Sequence, residues 1–421
     1  MRVIVMGAGI AGVASAYFLH CRGHQVTVLD RQAGPALETS FSNAGHVCPS
    51  YATPWAAPGM KSRALRWSAQ GWLGMETALR WTPRIDAGQW TWLRRFLGEC
   101  NARRYAANKA RMGRIARYSH LQLKAIRERL ALDYEQTTEG NLQVFRDHAG
   151  LANAQLASRV LTDAGVAHRL MSVDECTTFD PALAQSRARI VGGLLMPDDE
   201  TGDCRIFASR LAAWLADQGV RFEYGTRILS IAAHADTVDR LETAAGPKSA
   251  DAYVLSCASE SVALARPLGL RLPICPVKGY AITAPIRDHA LAPRSGIMDE
   301  ALKVAITRMG ATVRAAGTAE IGARDTLASA AQCATIFRSV RSLFGGGVDL
   351  SKASTWAGFR PMTPDGAPIV GPTHHRNLHL ATGGGSNGWT TACGIGRVVA
   401  DQVSGIAPDI ETADLGIARF G

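Results

Sequence analysis

The first thirty residues carry the pattern that most constrains the fold of this chain. An apolar stretch at residues 3–5 runs directly into a GxGxxG turn at residues 7–12, and a second apolar stretch at residues 26–29 ends at Asp30. This order predicts a strand, a tight turn, a helix and a second strand, with the helix N-terminus and a ribose-binding acid at one edge. The pattern therefore predicts a bound dinucleotide and leaves open whether it is FAD or NAD.

Length and composition narrow the class of protein further. A chain of 421 residues, 47% hydrophobic and 19% charged, is long enough for two domains with cores of their own. The sequence has no apolar run that could span a bilayer and no signal-peptide pattern, so we expect a protein of the cytoplasmic side. The nine cysteines include no C-x-x-C pair, which argues against zinc, an iron–sulfur cluster or a redox dithiol, and we expect no metal.

Positive charge and tryptophan are concentrated between residues 55 and 117, in a chain of net charge +10. Tryptophan beside arginine is typical of a membrane-surface contact, with rings at the headgroup level and cations facing anionic lipid. The alternative is a domain with core tryptophans and a solvated basic face; we expect no nucleic-acid partner because no recognised binding motif is present. The tryptophans are Trp55, Trp67, Trp72, Trp81, Trp90 and Trp92, and the basic residues include Lys61, Arg63, Arg66, Arg80, Arg84, Arg94, Arg95, Arg103, Arg104, Lys109, Arg111, Arg114 and Arg117.

A second glycine-rich turn lies near the C-terminus. Residues 382–389 follow an apolar strand at 378–381 and precede the last predicted helix. This order again directs a helix N-terminus at an electron-rich ligand atom, and the N1–C2=O edge of an isoalloxazine suits it. The alternative is a helix start in which the glycines serve packing. Between the two turns, residues 39–58 form a long irregular stretch of a kind that is usually functional.

Several motifs in register resemble the FAD-dependent D-amino-acid oxidase and dehydrogenase superfamily. They are the GxGxxG turn with Asp30, the segment 38–45 (ETSFSNAG), the block 360–371 (RPMTPDGAPIVG) and the turn at 382–389 (TGGGSNGW). Within that superfamily, three further segments are similar to bacterial D-amino-acid dehydrogenase small subunits, namely 51–59 (YATPWAAPG), 199–204 (DETGDC) and 278–280 (KGY).

The resemblance implies an α/β (α+β) fold in which the chain crosses repeatedly between two domains. A Rossmann-like FAD-binding domain would be built from residues 1–50, 197–275 and 345–421. A mixed antiparallel-sheet substrate domain, of the D-amino-acid oxidase type, would be built from residues 51–196 and 276–344.

The resemblance also implies oxidative deamination of a D-amino acid. The Cα–H would pass as hydride to flavin N5, and water would convert the imino acid into a 2-oxo acid and ammonia. Electrons would leave to a membrane acceptor, such as a quinone or an electron-transfer partner, with the protein peripheral on the inner face of the cell membrane. The alternatives are a D-imino-acid dehydrogenase acting on a compound such as cis-4-hydroxy-D-proline, an oxidase of glycine or sarcosine type, and a flavin-carrying electron-transfer subunit.

Departures from the family pattern set further expectations. Ser42 stands where relatives with a covalent flavin carry histidine, so we expect noncovalent FAD. Ala258 and Ser259 replace a glycine-containing turn, which predicts a slightly different backbone beside the flavin. His46 and the stretch at residues 383–387 differ from the usual dehydrogenase sequences, so the substrate need not be D-alanine. We expect His46 and Tyr51 beside the substrate amine or in a lid, against the alternative of ordinary loop residues.

For the substrate, Arg360 is the residue expected to bind the carboxylate, because a guanidinium supplies two parallel charged hydrogen bonds. The alternative is that Arg360 pairs with Asp365. Tyr280 is a candidate for a second carboxylate contact, and Arg308 is a weaker one. The cofactor-binding residues implied by the resemblance are Gly7, Ala8, Gly9, Ile10, Ala11, Gly12, Asp30, Arg31, Thr39, Ser40, Asn43, Ala44, Gly45, Ile228, Gly385, Ser386, Asn387, Gly388, Trp389 and Thr390.

Overall fold

The computed structural model describes residues 1–72 and 78–421, which form two large sheets, two small ribbons and the helices that cover them. The strands are β1 (Arg2–Met6), β2 (Gln25–Leu29), β3 (His46–Val47), β4 (Leu79–Trp81), β5 (Asn141–Phe145), β6 (Arg169–Met171), β7 (Gly192–Met196), β8 (Glu200–Thr201), β9 (Arg221–Glu223), β10 (Ile228–His234), β11 (Thr237–Thr243), β12 (Ala252–Leu255), β13 (Cys275–Pro285), β14 (Gly296–Asp299), β15 (Val304–Met309), β16 (Thr312–Ile321), β17 (Ser354–Met362), β18 (Ile369–Pro372) and β19 (Leu378–Thr382). The α-helices are α1 (Ile10–Cys21), α2 (Met60–Trp72), α3 (Ala87–Glu99), α4 (Ala102–Leu130), α5 (His148–Asp163), α6 (Val173–Phe179), α7 (Cys204–Asp217), α8 (Ser261–Ala265), α9 (Ala330–Phe344) and α10 (Gly388–Val403).

The six-stranded sheet has the strand order β18-β19-β12-β1-β2-β9. Its strands are parallel except for the edge strand β18, which is antiparallel to β19. Its strands β1 and β12 are almost continuously apolar and buried, which is typical of parallel strands covered on both faces. Helix α1 packs closely on β1 because Gly12 has no side chain; a Cβ there would lie 1.8 Å from the Gly7 carbonyl oxygen. The predicted dinucleotide-binding unit of strand, turn, helix and strand is confirmed.

The larger sheet has the order β17-β13-β16-β15-β14-β5-β7-β6, with β4 added beside β16. Its pairs are antiparallel except β5 with β14 and β4 with β16. Helix α9 covers one face through buried residues such as Ile336, Val340 and Leu343. The predicted combination of a Rossmann-like sheet and a mixed antiparallel sheet is confirmed.

Two elements cross the predicted domain segments. Strand β17, within the predicted 345–421 segment, pairs with β13 of the larger sheet. Helix α4, within the predicted 51–196 segment, contributes Ile115 and Leu123 to the core that contains α1 and α10. The segment boundaries themselves stay a prediction.

An irregularity in β16 determines which side chains of the larger sheet face the site. The register of β13 and β16 shifts between Gly279 and Tyr280, and Thr318 takes a φ of +43° there, as in a β-bulge. In β17, Arg360 is paired with Val277, so both lie on the same face as Gly279. Tyr280 points to the opposite face.

Candidate active site

A cavity of about 910 Å³ lies between the two large sheets and continues into a pocket of about 90 Å³. The two volumes share wall residues at the first glycine turn and at the loops beside it: Gly9, Thr39, Ser40, Ser256 and Ala258. The smaller pocket reaches Asp30, and the larger cavity reaches Arg360. Together they form an extended channel of the kind that a dinucleotide with a reactive end requires.

The first glycine turn fits a diphosphate. Gly7 has a φ of +101°, and a Cβ there would lie 2.8 Å from the Ser256 carbonyl oxygen. A Cβ at Gly9 would meet nothing closer than 3.6 Å, so the space over this residue is open to a ligand. Helix α1 begins at Ile10 after the N-cap Gly9, which has no side chain to cap it. The Ile10 N–H donates to Ser40 Oγ at 3.1 Å, and the following N–H groups of the first turn are directed to this end.

The pocket beyond the turn is lined by acids. The carboxylate of Asp30 accepts the N–H of Ala8 at 2.6 Å and that of Gln32 at 2.8 Å, and burial raises its pKa. Arg31 forms ion pairs with Glu38 and Glu260. A carboxylate has acceptor sites to spare for a ribose diol. Ile228 also lines this pocket, as do the two glutamates, which the sequence analysis did not assign.

The middle of the channel is bounded by the loop at residues 39–45. Gly45 has a φ of +77°, and its N–H donates to Asn43 Oδ1 at 2.9 Å. Thr39 donates to the Phe359 carbonyl at 2.7 Å, which ties the loop to β17. Ala258 takes a φ of +48°, so an alanine adopts the left-handed backbone that a glycine would favour.

The second glycine turn lines the same cavity. Gly383 and Gly385 have positive φ values of 74° and 57°, and α10 begins at Gly388 without a side-chain cap. The predicted residues of this turn all border the cavity: Gly385, Ser386, Asn387, Gly388, Trp389 and Thr390. The turn therefore directs uncapped N–H groups into the cavity, as expected for an electron-rich ring edge.

Arg360 lies in the cavity wall without an acid. Its Nη1 donates to the Thr318 carbonyl at 3.3 Å, where the bulge exposes it, and its guanidinium lies 5.8 Å from the centre of the Trp55 ring. Among the described residues, no carboxylate is within ion-pair distance. Burial lowers the pKa of Arg360 to about 10, so it remains charged at neutral pH. Gly279 leaves space for the Arg360 side chain, since a Cβ at position 279 would lie 2.5 Å from the guanidinium.

The alternative, in which Arg360 pairs with Asp365, is wrong. Asp365 instead binds Arg111 at 2.9 Å and Arg419 at 2.8 Å. Through these two ion pairs Asp365 connects α4 with the C-terminal segment. The guanidinium of Arg360 is thereby left for a ligand.

Two predicted carboxylate contacts need correction. Tyr280 borders the cavity, but its hydroxyl donates to Glu320 and its side chain packs in the core under α9, on the face opposite to Arg360. Arg308 points the same way as Val313 and contacts His289 at 2.7 Å. The alternation of strand residues separates both from the guanidinium.

Strand β3 and the loop after it supply the remaining polar wall. Burial lowers the pKa of His46 to about 4, so its imidazole is neutral, and its Nε2 has no hydrogen-bond partner among residues 1–72 and 78–421. Tyr51, which is 37% exposed, donates to Glu300 at 3.2 Å. His46 and Tyr51 thus border the cavity together with Arg360.

The family model described as DAO, FAD dependent oxidoreductase, matches residues 2–402. The chain belongs to this family. FAD is the family's cofactor, and the open turn at Gly9 and the uncapped N-terminus of α10 fit its diphosphate and its ring edge.

Relatives and solved structures agree with the family. D-amino acid dehydrogenases of Sinorhizobium medicae and Granulibacter bethesdensis are 48% and 44% identical to the chain, with 100% of each chain covered. The solved glycine oxidase from Geobacillus kaustophilus has a TM-score of 0.78 at 19% identity and covers 99% of both chains. L-proline dehydrogenase from P. horikoshii has a TM-score of 0.74 at 15% identity, covering 100% of this chain and 97% of its own. At such identities the structural likeness shows the fold alone.

Proposed function

We propose that the chain is an FAD-dependent D-amino acid dehydrogenase with noncovalent FAD, which converts a D-amino acid into a 2-oxo acid and ammonia. The observation that carries the proposal is Arg360, a half-buried cation with no acid paired to it among the described residues, in a cavity that continues to the dinucleotide turn. An isolated buried charge is costly unless a ligand pairs with it, and an α-carboxylate is the planar anion that a guanidinium fork matches. The names of the relatives point to the same substrate class.

The cofactor, when bound, accepts the hydride from Cα. The protein binds and orients the amino acid: Arg360 takes the carboxylate, and the apolar rings beside it, Trp55 among them, exclude water. His46 is neutral above a pH of about 4, so its free Nε2 can accept a hydrogen bond from the substrate amine. Tyr51 bounds the amine side of the cavity. Asp30 holds the ribose, and the turn at residues 7–12 holds the diphosphate.

Anaerobic reduction tests this function. The purified yellow protein is mixed without oxygen with D-alanine, D-phenylalanine, cis-4-hydroxy-D-proline, glycine and sarcosine, each against its L-enantiomer where one exists, and bleaching of the flavin band is followed. Reduction by D-amino acids and not by L-amino acids is expected. Reduction only by the imino acid or by glycine and sarcosine would favour the corresponding alternative, and no reduction by any of them would favour an electron-transfer subunit.

Electron delivery at a membrane surface is the second part of the proposal. Trp90 is 47% exposed and Leu65 74% exposed, and the side chains of Arg63, Arg66 and Arg94 are exposed beside them in sequence. This supports an interfacial contact around α2 and α3. Other residues of the stretch from 55 to 117 do not face the surface in this way. Trp92 is buried, with 3% exposure, and Arg111 and Arg114 form ion pairs with Asp414. The side chain of Trp72 lies outside the described residues. No helix in the described ranges is long and apolar enough to cross a bilayer.

Vesicle sedimentation tests the membrane contact with a charge-matched control. Vesicles with anionic headgroups should retain the wild type at low salt and release much of it at about 0.15 M salt, where the Debye length is about 8 Å. The double variant Arg94→Gln/Arg103→Gln should lose retention. Arg221→Gln/Arg271→Gln, which removes two exposed arginines elsewhere, should keep it. Equal loss in both variants, or equal binding to neutral vesicles, would contradict the contact.

A further inference from the structure

The buried carboxylate of Asp199 accepts a hydrogen bond from the loop that follows β3. This loop continues into a short 3-10 turn, Pro49–Tyr51, and β3 itself pairs with β8, which directly follows Asp199 in the chain. Asp199 is 1% exposed, and its Oδ1 accepts the N–H of Ser50 at 3.0 Å. The cavity wall formed by this turn is therefore anchored to Asp199.

The charge of Asp199 has no ion-pair partner in the described part of the chain. His120 of α4 lies nearby, but its Nε2 is 3.0 Å from Glu200, which also binds Arg127. The second oxygen of Asp199, Oδ2, has no hydrogen bond within the described ranges. Burial raises the pKa of Asp199 to about 6, against the lowering effect of hydrogen bonds donated by the turn.

Asp180 shows how a purely structural buried carboxylate is held in the same fold. Its two oxygens accept backbone N–H groups of Ala182, Arg294 and Ser295, away from the cavity. Asp199 has one backbone donor, supplemented by the Ser50 hydroxyl and the Cys48 thiol of the same turn, and its Oδ2 is unsatisfied within the described ranges. Because burial still raises the pKa of this carboxyl, the ionised form destabilises the fold at neutral pH, and its position next to the site calls for another explanation.

We propose that ionised Asp199 is a positioning residue for the amino-acid site: through the Ser50 N–H it holds the Pro49–Tyr51 turn, and with it the placement of Cys48 and Tyr51 in the cavity wall. This role rests on the proposed function. A hydrogen bond to a charged acceptor is stronger than one to a neutral acceptor, so protonation of Asp199 loosens the turn. Substrate affinity then decreases with the fraction of Asp199 that is protonated.

Several titratable or charged groups surround Asp199, and two of them are excluded as the source of a transition near pH 6. The pKa of His46 is lowered to about 4 by burial, and that of Glu200 is lowered to about 2 by His120 and Arg127 in spite of burial. The groups on the neighbouring elements are His46, Cys48 and Tyr51 of the loop, His120 and Arg127 of α4, Glu200 of β8, and Glu300 and Lys303 beyond Tyr51.

The decisive experiment compares Asp199→Asn with Asp180→Asn in the FAD-loaded protein. The pH profile of kcat/KM for D-alanine is measured together with Tm. The wild-type profile should fall below a pH of about 6. Asn resembles protonated Asp, so Asp199→Asn should lose this transition and raise KM at pH 8 about tenfold, the scale of one charged against one neutral hydrogen bond, with kcat much less affected. Asp180→Asn should keep the wild-type profile.

Thermal stability gives a readout that a structural role would not produce. A carboxyl whose pKa is raised by folding contributes stability below its unfolded pKa, and this contribution is lost as the pH rises through about 6. Asp199→Asn should therefore have a higher Tm than the wild type at pH 8 and a smaller advantage at pH 5, although it is the poorer enzyme. A lower Tm at pH 8 with an unchanged profile of kcat/KM would overturn the proposal.

His120→Gln separates the role of Asp199 from that of its neighbour His120. Because the charge of His120 lowers the pKa of Asp199, this variant should move the transition to higher pH and keep it. If the transition in the kcat/KM profile near pH 6 disappeared in His120→Gln, it would belong to His120, and the role of Asp199 would be overturned. This result would decide the question even if Asp199→Asn did not fold. If no D-amino acid reduces the wild-type flavin, the proposed function fails instead, and the Tm comparison still decides whether Asp199 is buried as an uncompensated anion.

Discussion

Arg360→Met keeps the length and bulk of the side chain at the cavity wall but removes its charge. Two charged hydrogen bonds to a carboxylate contribute about 1.5–3 kcal/mol each, so the variant should lose at least roughly 3 kcal/mol of transition-state stabilisation, about a hundredfold in kcat/KM. Without a ligand, the same charge destabilises the protein. Burial lowers the pKa of Arg360 to about 10, and at about 1.4 kcal/mol per pKa unit the charged form costs on the order of 3 kcal/mol.

The variant should therefore be a poorer enzyme and a more stable protein. Anaerobic stopped-flow reduction with D-alanine measures the first effect, and thermal unfolding of the FAD-loaded protein at pH 7 measures the second. D-alaninamide, which lacks the carboxylate, should be a poor substrate for the wild type and nearly as good as D-alanine for the variant. Arg360→Lys should recover only part of the activity because an ammonium lacks the planar fork. Near-normal kcat/KM with D-alanine in the Met variant would refute the assignment.

Three further predictions concern the cofactor and the space around the guanidinium. Acid precipitation should release all flavin into the supernatant because Ser42 offers no linking imidazole; flavin that stays with the precipitate would refute noncovalent binding. Asp30→Ala should weaken FAD binding, measured by fluorescence titration of the apoprotein, by about 1.5–3 kcal/mol, and unchanged affinity would remove Asp30 from the ribose. Gly279→Val should displace Arg360, since even a Cβ at position 279 would lie 2.5 Å from the guanidinium. The KM for D-alanine should rise while the flavin spectrum stays normal. An unchanged KM would show that Arg360 does not bind the carboxylate.

The dinucleotide unit was predictable because its constraints are local. The turn at residues 7–12 needs glycine for backbone reasons, and Asp30 follows the next strand at a distance set by one helix and one strand. Arg360 and His46 were predictable as site residues only through the resemblance of the motifs around them. The structure adds that they line one cavity, which depends on contacts between segments more than 300 residues apart.

The errors came from features that the sequence does not display. Lys278, Gly279 and Tyr280 are adjacent in one motif, yet strand alternation places only Gly279 on the face of Arg360. The bulge that directs the Thr318 carbonyl at Arg360 places the left-handed backbone on Thr318 and not on the adjacent Gly317, so the sequence does not show which residue bulges. Long-range ion pairs are equally hidden: nothing local indicates that Asp365 binds Arg419 rather than a residue five positions away.

The close contact of α1 with α10 has a consequence for synthesis of the chain. A Cβ at Gly396 of α10 would lie 2.6 Å from the backbone of Ala14 in α1, so the two helices pack almost backbone to backbone. At about 5–20 residues per second, a ribosome needs roughly 20 to 70 seconds to reach α10 at Gly388 after completing α1 at Cys21. During that time the face of α1 that packs on α10 stays uncovered, although β2, α7 and β12 are already available to the first strand and helix, and fragments that end before α10 should expose this surface and aggregate.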